Sequence, residues 1–346
     1  MRVVAVGVLL AVTLAAACSE LRTDNGTVVN TGSSGTSGSS GDGGANDGGA
    51  DGSGVDAAPC TGSCPPELLA DNQPQATVVI VDANNVYWGT EGTNGVWQCP
   101  KTGCTGAPIK LASIDSTGLA VDATRVYFGD FSGGTLLACA IGGCNNQPTV
   151  LSPTETQIES VTTDGINLYW ASQGNVRACK LPCSGGANGT PYTVYAQGGF
   201  VLDVTADQGK VFWAGASKIW VCAGSGPCAS PLALGPGVGA GSFATHGNAY
   251  WVSSPNSVVA CAATGCSNLP RTIGSSYSPQ NVVSDDVSVY WRDDVSGDIL
   301  RCPTFGCGGA SAAYQKSQQG QPGGKMATDG QYLYWATASQ VLRAPK

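Results

Sequence analysis

Residues 116–152 read STGLAVDATRVYFGDFSGGTLLACAIGGCNNQPTVLS, and four short strands can be taken from them. The run 118–121 is apolar and stops at Asp122. A second run, 125–129, follows after a tight turn. The runs 135–139 and 147–151 are joined by a loop with Cys139 and Cys144 at its ends. Runs rich in Val, Leu, Thr and aromatic residues, punctuated by Gly, Asn and Asp, are the signals of strands and turns. Four such runs in so short a stretch make an antiparallel meander the size of one β-propeller blade, with its first strand innermost.

The same pattern recurs about every 40 residues along the chain, and a period of that length marks a repeat architecture. Seven aromatic pairs carry it: Tyr87-Trp88, Tyr127-Phe128, Tyr169-Trp170, Phe212-Trp213, Tyr250-Trp251, Tyr290-Trp291 and Tyr334-Trp335. Seven close cysteine pairs keep the same rhythm: Cys60 with Cys64, Cys99 with Cys104, Cys139 with Cys144, Cys179 with Cys183, Cys222 with Cys228, Cys261 with Cys266 and Cys302 with Cys307. Asp82, Asp122, Asp164, Asp207, Asp285 and Asp329 each stand five residues before an aromatic pair. Asp suits a turn there because its carboxylate can accept backbone N–H groups. Neighbouring side chains of a strand point to opposite faces, so the two rings of a pair should enter the layers on either side of a blade. The chain stops at Lys346, where an eighth cysteine pair would begin, and the missing piece stands at the other end as Cys60 to Leu69. The expected fold is therefore all-β: a seven-bladed β-propeller of four-stranded antiparallel blades, the last closed by the N-terminal segment, which leaves no lone edge.

Asp285-Asp-Val-Ser-Val-Tyr-Trp-Arg-Asp293, followed by Gly297-Asp-Ile-Leu-Arg301, resembles the Tyr-Trp-Thr-Asp repeat of the low-density-lipoprotein-receptor type propeller. The likeness covers residues 60–346 at the level of the repeat. It departs in blade number, since those propellers have six, and in its cysteine pairs, which are foreign to that repeat. The fourth motif position is Thr90, Asp130, Ser172, Gly215, Ser253, Asp293 and Thr337. The chain also resembles bacterial surface lipoproteins built as propellers. These resemblances imply binding of a protein or other ligand, by analogy of fold.

Residues 1–17 read as a signal peptide, with Arg2 ahead of an apolar run that ends in small residues. Ala15-Ala-Ala-Cys18 resembles a lipobox, which implies cleavage before Cys18 and lipidation of its sulfur; Ser19 implies the outer membrane. The alternative is ordinary secretory cleavage after Ala17. Residues 18–59 are Gly, Ser, Asp and Asn with few apolar side chains, so they form a linker that cannot bury a core. Such a linker spans roughly 35 Å on average and about 140 Å when extended. Residues 60–346 form the propeller domain. From Cys60 onward there are 14 Lys/Arg against 18 Asp/Glu, a net charge of −4, which argues against a nucleic-acid partner.

Fourteen of the 15 cysteines fall in the pairs, and export places them in an oxidising compartment. A disulfide within each pair is the simplest reading, worth about 2 kcal/mol for so short a loop. Metal is the rival reading, since Cys99 to Cys104 and Cys302 to Cys307 faintly resemble zinc knuckles. Pairs set one per blade do not converge, however, and a single histidine cannot complete seven sites.

The remaining candidates are few. His246 is the only histidine, and reads as a turn residue or as a general base at the mouth of the channel. Residues 293–298 read as a solvated turn or as oxygen ligands for calcium, with the wrong spacing for a known calcium loop. Trp97 and Trp220 read as packing residues or as sugar-stacking platforms. Residues 235–241 read as a flexible inter-blade loop. The longest connections, 114–117, 152–158, 196–200, 275–280 and 316–323, should share one face, with Phe200 and Tyr277 as candidate binding anchors. The expected function is that of a non-catalytic, monomeric, lipid-anchored cell-surface protein that binds or scaffolds a protein or glycan, with no cofactor and no metal. The alternative is a secreted propeller hydrolase, lactonase or lyase using carboxylates at the channel mouth.

Overall fold

The computed structural model describes residues 65–92, 95–183, 189–196, 199–237, 243–253, 256–308, 311–315 and 324–346. Cys18, Cys60, Cys64, the segments read as signal peptide and linker, and the connection 316–323 lie outside them. The described residues form seven antiparallel sheets of four strands each. Blade 2 is Leu119–Val121, Arg125–Asp130, Thr135–Ala140 and Thr149–Ser152, within two residues of the strands read from the sequence. The last blade runs Ala327–Thr328, Tyr332–Ala336, Val341–Pro345, and its outer strand is Glu67–Ala70. The seven-bladed ring and its closure by the N-terminal segment are thus as the sequence indicates.

Burial changes from hub to rim for a physical reason. A second strand such as Asn85–Thr90 is covered by a blade on each face, so Val86 through Thr90 are all buried. An outer strand such as Thr149–Ser152 is covered only in part, and its first two residues are exposed. The aromatic pairs exploit the double cover. Trp88 lies in one apolar cluster with Tyr334 of the preceding blade, while Tyr87 lies in the next with Phe128 of the following blade. The alternation continues around the ring through Tyr127 with Trp170, Tyr169 with Trp213, Phe212 with Trp251, Tyr250 with Trp291 and Tyr290 with Trp335. Every inter-blade layer therefore holds the first ring of one pair and the second ring of the next. All fourteen rings are 2 % exposed or less.

The cysteine loops add a second lock between blades. Six of the expected pairs are joined as disulfides: Cys99 with Cys104, Cys139 with Cys144, Cys179 with Cys183, Cys222 with Cys228, Cys261 with Cys266 and Cys302 with Cys307. The seventh, Cys60 with Cys64, falls outside the described residues. Gly103, Gly143, Gly265 and Gly306 precede the second cysteine with φ of 98°, 117°, 104° and 99°, a backbone region that side chains with a Cβ resist. In these four loops the kink stands just before the second cysteine, whereas Cys228 follows Pro227. Cys104, Cys228 and Cys307 donate their N–H to Leu69, Val194 and Ile273 on the preceding blade's outer strand, at 3.2, 2.7 and 2.9 Å. Cys266 meets the preceding blade through its sulfur, which lies 3.2 Å from Leu234 O. Cys183 follows a proline instead of a glycine and takes the positive φ itself, at 59°. It is buried in the cluster shared with blade 2.

The seam where the ends of the chain meet carries extra bonds. Arg343 donates to Glu67 Oε2 through Nε and Nη2 at 2.8 and 2.6 Å, and its Nη1 reaches Lys101 O at 2.7 Å. At the hub, Val78 and Lys325 form a parallel bridge between the first blade and the last. Gly324 lies against this bridge, and a Cβ there would fall 1.2 Å from Thr77 O. Gly324→Ala should therefore force the two innermost strands apart. We expect a loss of about 2–4 kcal/mol, read as a lower urea midpoint with the fold otherwise retained.

Candidate functional site

An antiparallel meander sends its chain ends to two opposite faces. The turns between first and second strands, together with the cysteine loops, emerge on one face, here the turn face. The hairpins between second and third strands, and the connections to the next blade, emerge on the other, the loop face. His246 stands in a first turn, whereas Phe200 and Tyr277 stand on connections. The three candidate binding residues are thus not brought together: His246 occupies the face opposite the other two.

On the turn face the repeat aspartates do structural work. Asp122 Oδ1 accepts the N–H groups of Thr124 and Arg125 at 2.7 and 2.8 Å, and Oδ2 accepts the Tyr127 hydroxyl at 2.6 Å. Asp82, Asp164 and Asp329 repeat this with Tyr87, Tyr169 and Tyr334 at 2.7, 3.1 and 2.8 Å. Burial alone would raise the pKa of these four carboxyls, but the hydroxyl and backbone donors, led at Asp329 by the Lys101 ammonium, hold each below its usual value. Burial, together with the facing carboxylate, pushes the partner tyrosines well above theirs. In blade 4 the tyrosine is replaced by Phe212, and Asp207 Oδ2 instead accepts Gly247 N of blade 5 at 2.8 Å. In blade 6, Asp285 binds Lys346 Nζ at 2.6 Å, and Lys101 binds Asp329 at the same distance, each lysine reaching back from the following blade.

His246 replaces the aspartate in blade 5. Its Nε2 lies 2.6 Å from Asp286 Oδ1, and its side chain is 46 % exposed. The pair borders a cavity of about 490 Å³ that also meets Asp285, Tyr290, Arg301 and Lys346. Across the pair, a second depression of about 420 Å³ reaches Arg271 and the exposed Phe305.

The channel is separate from this. A cavity of about 220 Å³ is lined by residues of all seven innermost strands or their approaches, with Ala244 and Thr245 present but not His246. His246 borders the turn-face cavities and is not among the residues that line the channel. Lys325, from blade 7, forms an ion pair with Asp203 of blade 4 across this cavity, and its Nζ lies 3.0 Å from Ser160 Oγ. Ser160 donates to Asp203 Oδ1 at 2.7 Å. Burial raises the pKa of nearby Glu159, and Lys325 opposes that rise. Asp203 is the one carboxylate lining the cavity among the described residues, and it is already paired.

The loop face presents side chains instead of consuming them. Tyr277 is 80 % exposed, Val295 72 % and Phe200 63 %. Tyr277 and Val295 are held side by side by Asp293, which is itself 1 % exposed. Asp293 Oδ2 accepts Ser278 N at 2.9 Å, while Oδ1 accepts Val295 N and Ser296 N at 3.0 and 2.9 Å. On the other side of Tyr277, Ser276 Oγ accepts the buried Trp291 Nε1 at 3.3 Å. Trp88 and Trp251 likewise bond a residue fifteen positions upstream, Gln73 and Pro236. The residues read as a calcium loop are thus a turn whose central carboxylate is occupied by backbone donors. Trp97 and Trp220 are partly buried against inter-blade clusters. Gly235 and Pro236 belong to the strand Leu232–Pro236, not to a loop, and 238–242 lie outside the described residues.

Two kinds of site residue were missed in the sequence. The hydroxyl of each Asp–Tyr pair is not given by the five-residue spacing alone, since Asp207 and Asp285 keep that spacing while bonding Gly247 and Lys346 instead. The Lys325–Asp203 contact leaves no such signal, because it joins residues far apart through the hub.

No family model matches the chain, and no curated protein matches it. Among solved structures, a streptogramin B lyase aligns with a TM-score of 0.63 at 11 % identity, covering 81 % of this chain and 96 % of its own. BamB from Moraxella catarrhalis aligns at 0.52 and 12 %, covering 82 % and 94 %. The WD40 propeller domain of Doa1 aligns at 0.62 and 10 %, covering 82 % and 97 %. At such identities the likeness is one of fold.

The Asp–Tyr bonds make a pH prediction. Carboxyls held below their usual pKa of about 3.9 contribute stability that is complete above that value and is lost as pH falls through the folded-state pKa. Urea midpoints should be level from pH 7 to about 5 and fall below about 4. Asp122→Ala should cost about 1–2 kcal/mol at neutral pH, the low end because water reaches the carboxylate, and should make the acid fall shallower.

Proposed function

We propose that the protein is a non-catalytic cell-surface binding or scaffolding lipoprotein that recognises a protein or glycan through its loop face. The observation that carries this reading is Tyr277. A tyrosine left four-fifths exposed is costly to order, yet both of its neighbours are pinned, Ser276 by Trp291 and Ser278 by Asp293. Pre-ordering an aromatic side chain on a rigid frame removes entropy that a partner would otherwise have to offset. Phe200 and Val295 extend the same face with further apolar surface. In this reading residues 1–17 direct export, Cys18 carries the lipid that anchors the chain in the outer membrane, and 18–59 hold the ring away from the surface. The recognised group is protein or saccharide and not nucleic acid, in keeping with the acidic balance of the chain.

The hydrolase, lactonase or lyase reading has one observation in its favour, the His246–Asp286 pair bordering a cavity on the turn face. Asp285 and Asp329 beside it are engaged by Lys346 and Lys101, and the channel carboxylate by Lys325. The lyase among the structural neighbours supplies a fold, not a reaction, at its level of identity.

Two experiments test the proposal. Metabolic labelling with palmitate should mark the full chain and not Cys18→Ser; an unlabelled wild type would remove the lipid anchor from the account. Immobilised full chain should retain an envelope component that Tyr277→Ser and Phe200→Ser lose by about tenfold or more, roughly 1.4 kcal/mol, at unchanged thermal midpoint. His246→Ala should retain it. Retention by both loop variants, or turnover of an ester or lactone substrate lost with His246→Ala, would favour the enzyme instead.

A further inference from the structure

A groove of about 560 Å³ runs along the seam between the last blade and the first. That size lies within the roughly 300–1,000 Å³ of small-ligand sites. Leu68, Trp97 and Pro108 give it apolar walls, and Asp71, Asn72 and Gln73 give it a polar end.

The polar end is fixed in place. Gln73, 7 % exposed, accepts Trp88 Nε1 at 3.0 Å and donates to Asp71 O at 2.9 Å. Asn72 has a φ of 57°, and its N–H turns back to Asp71 Oδ1 at 2.9 Å. Gln340 Nε2 reaches the same oxygen at 3.2 Å. Among the described residues, Asp71 Oδ2 and the Asn72 carboxamide have no partner. A carboxylate oxygen and a carboxamide side by side offer acceptors and donors for a pair of neighbouring hydroxyls. The indole of Trp97 supplies a flat apolar surface close by, with Lys110 Nζ 5.0 Å from its ring centroid. Blades 2, 3, 5, 6 and 7 place Leu137, Arg177, Val259, Leu300 and Leu342 at the position of Trp97. An indole there is not required by the blade.

We infer that this seam groove binds a neutral saccharide. The apolar C–H face of a pyranose ring lies on Trp97, and its vicinal hydroxyls meet Asp71 and Asn72. The free carboxylate oxygen disfavours an anionic sugar, and the hydrogen-bonding floor disfavours a purely apolar ligand. The site stands apart from the loop tips at Tyr277, which belong to a different seam, and it does not depend on the function proposed for them.

The test is ligand-observed saturation-transfer NMR on the full chain, with cellobiose, lactose and N,N′-diacetylchitobiose as probes. We expect saturable millimolar binding of at least one, weakened about tenfold or more in Trp97→Leu and several-fold in Asp71→Asn and Asn72→Ala. Leucine is chosen because three other blades carry it at this position, and the two polar variants serve should that one fold poorly. Leu269→Ser, an exposed position outside both this groove and the loop face, should bind the probe as wild type does. No saturable binding of any probe, or binding indifferent to all three groove variants, overturns the inference. Binding lost in Tyr277→Ser but kept in Trp97→Leu also overturns it, and would place the sugar on the loop face.

Discussion

The ring depends on one layer repeated seven times, in which an aromatic from one blade and an aromatic from the next are buried in a shared apolar cluster. Each blade is only four strands wide and could not fold alone. It becomes stable by lending its first aromatic to one neighbour and its second to the other. A side chain of this size buries roughly 150–250 Å², so each layer gains several kcal/mol before entropy is counted. The adjacency of the two rings in sequence matters as much as their size, because consecutive residues of a strand face opposite ways. A shift of one residue in any second strand would reverse both contacts at once.

This arrangement explains where polar chemistry is consumed. A tyrosine sunk between blades carries a hydroxyl that must find an acceptor, and the aspartate of its own turn supplies it. Where the ring is Phe212 the need vanishes, and Asp207 turns to the neighbouring blade. On the loop side, the indole N–H of the second ring serves in the same way for Trp88, Trp251 and Trp291, which anchor the connections to their blades. Buried aromatics thus organise both faces. The turn face ends with its repeat carboxylates occupied, whereas the loop face ends with well-held backbone carrying exposed side chains.

The repeat period, blade number and closing strand were legible because each leaves a regular mark: paired aromatics, paired cysteines and a final repeat that breaks off. The turn role of the aspartates was legible too, but the tyrosine hydroxyl was not, since linear spacing does not say which way a ring lies along its strand. The faces of His246 and Tyr277 follow from counting strand ends, so their separation was within reach of the sequence. Lys325 was not. It precedes a strand of two residues, Ala327–Thr328, and its partner is fixed only once the ring has closed. Residues 293–298 read equally as a solvated turn or a cation loop, and the backbone donors to Asp293 show only its part in the turn.

The closing strand also decides how the molecule answers to force. Glu67–Ala70 is an outermost strand of four residues, paired along one edge only, with Val341–Pro345. Among the described residues, a load entering from the N-terminal side meets it first and acts to peel it away rather than to shear a central strand. Its bonds join residues as much as 276 positions apart, so once lost they are slow to re-form by chance encounter. The hold of Arg343 on Glu67, and the N–H that Cys104 extends to Leu69 from the first blade, pass part of that load into the neighbouring, disulfide-braced hairpin. The ring is thus guarded at its closing seam by the blade on the far side of the gap.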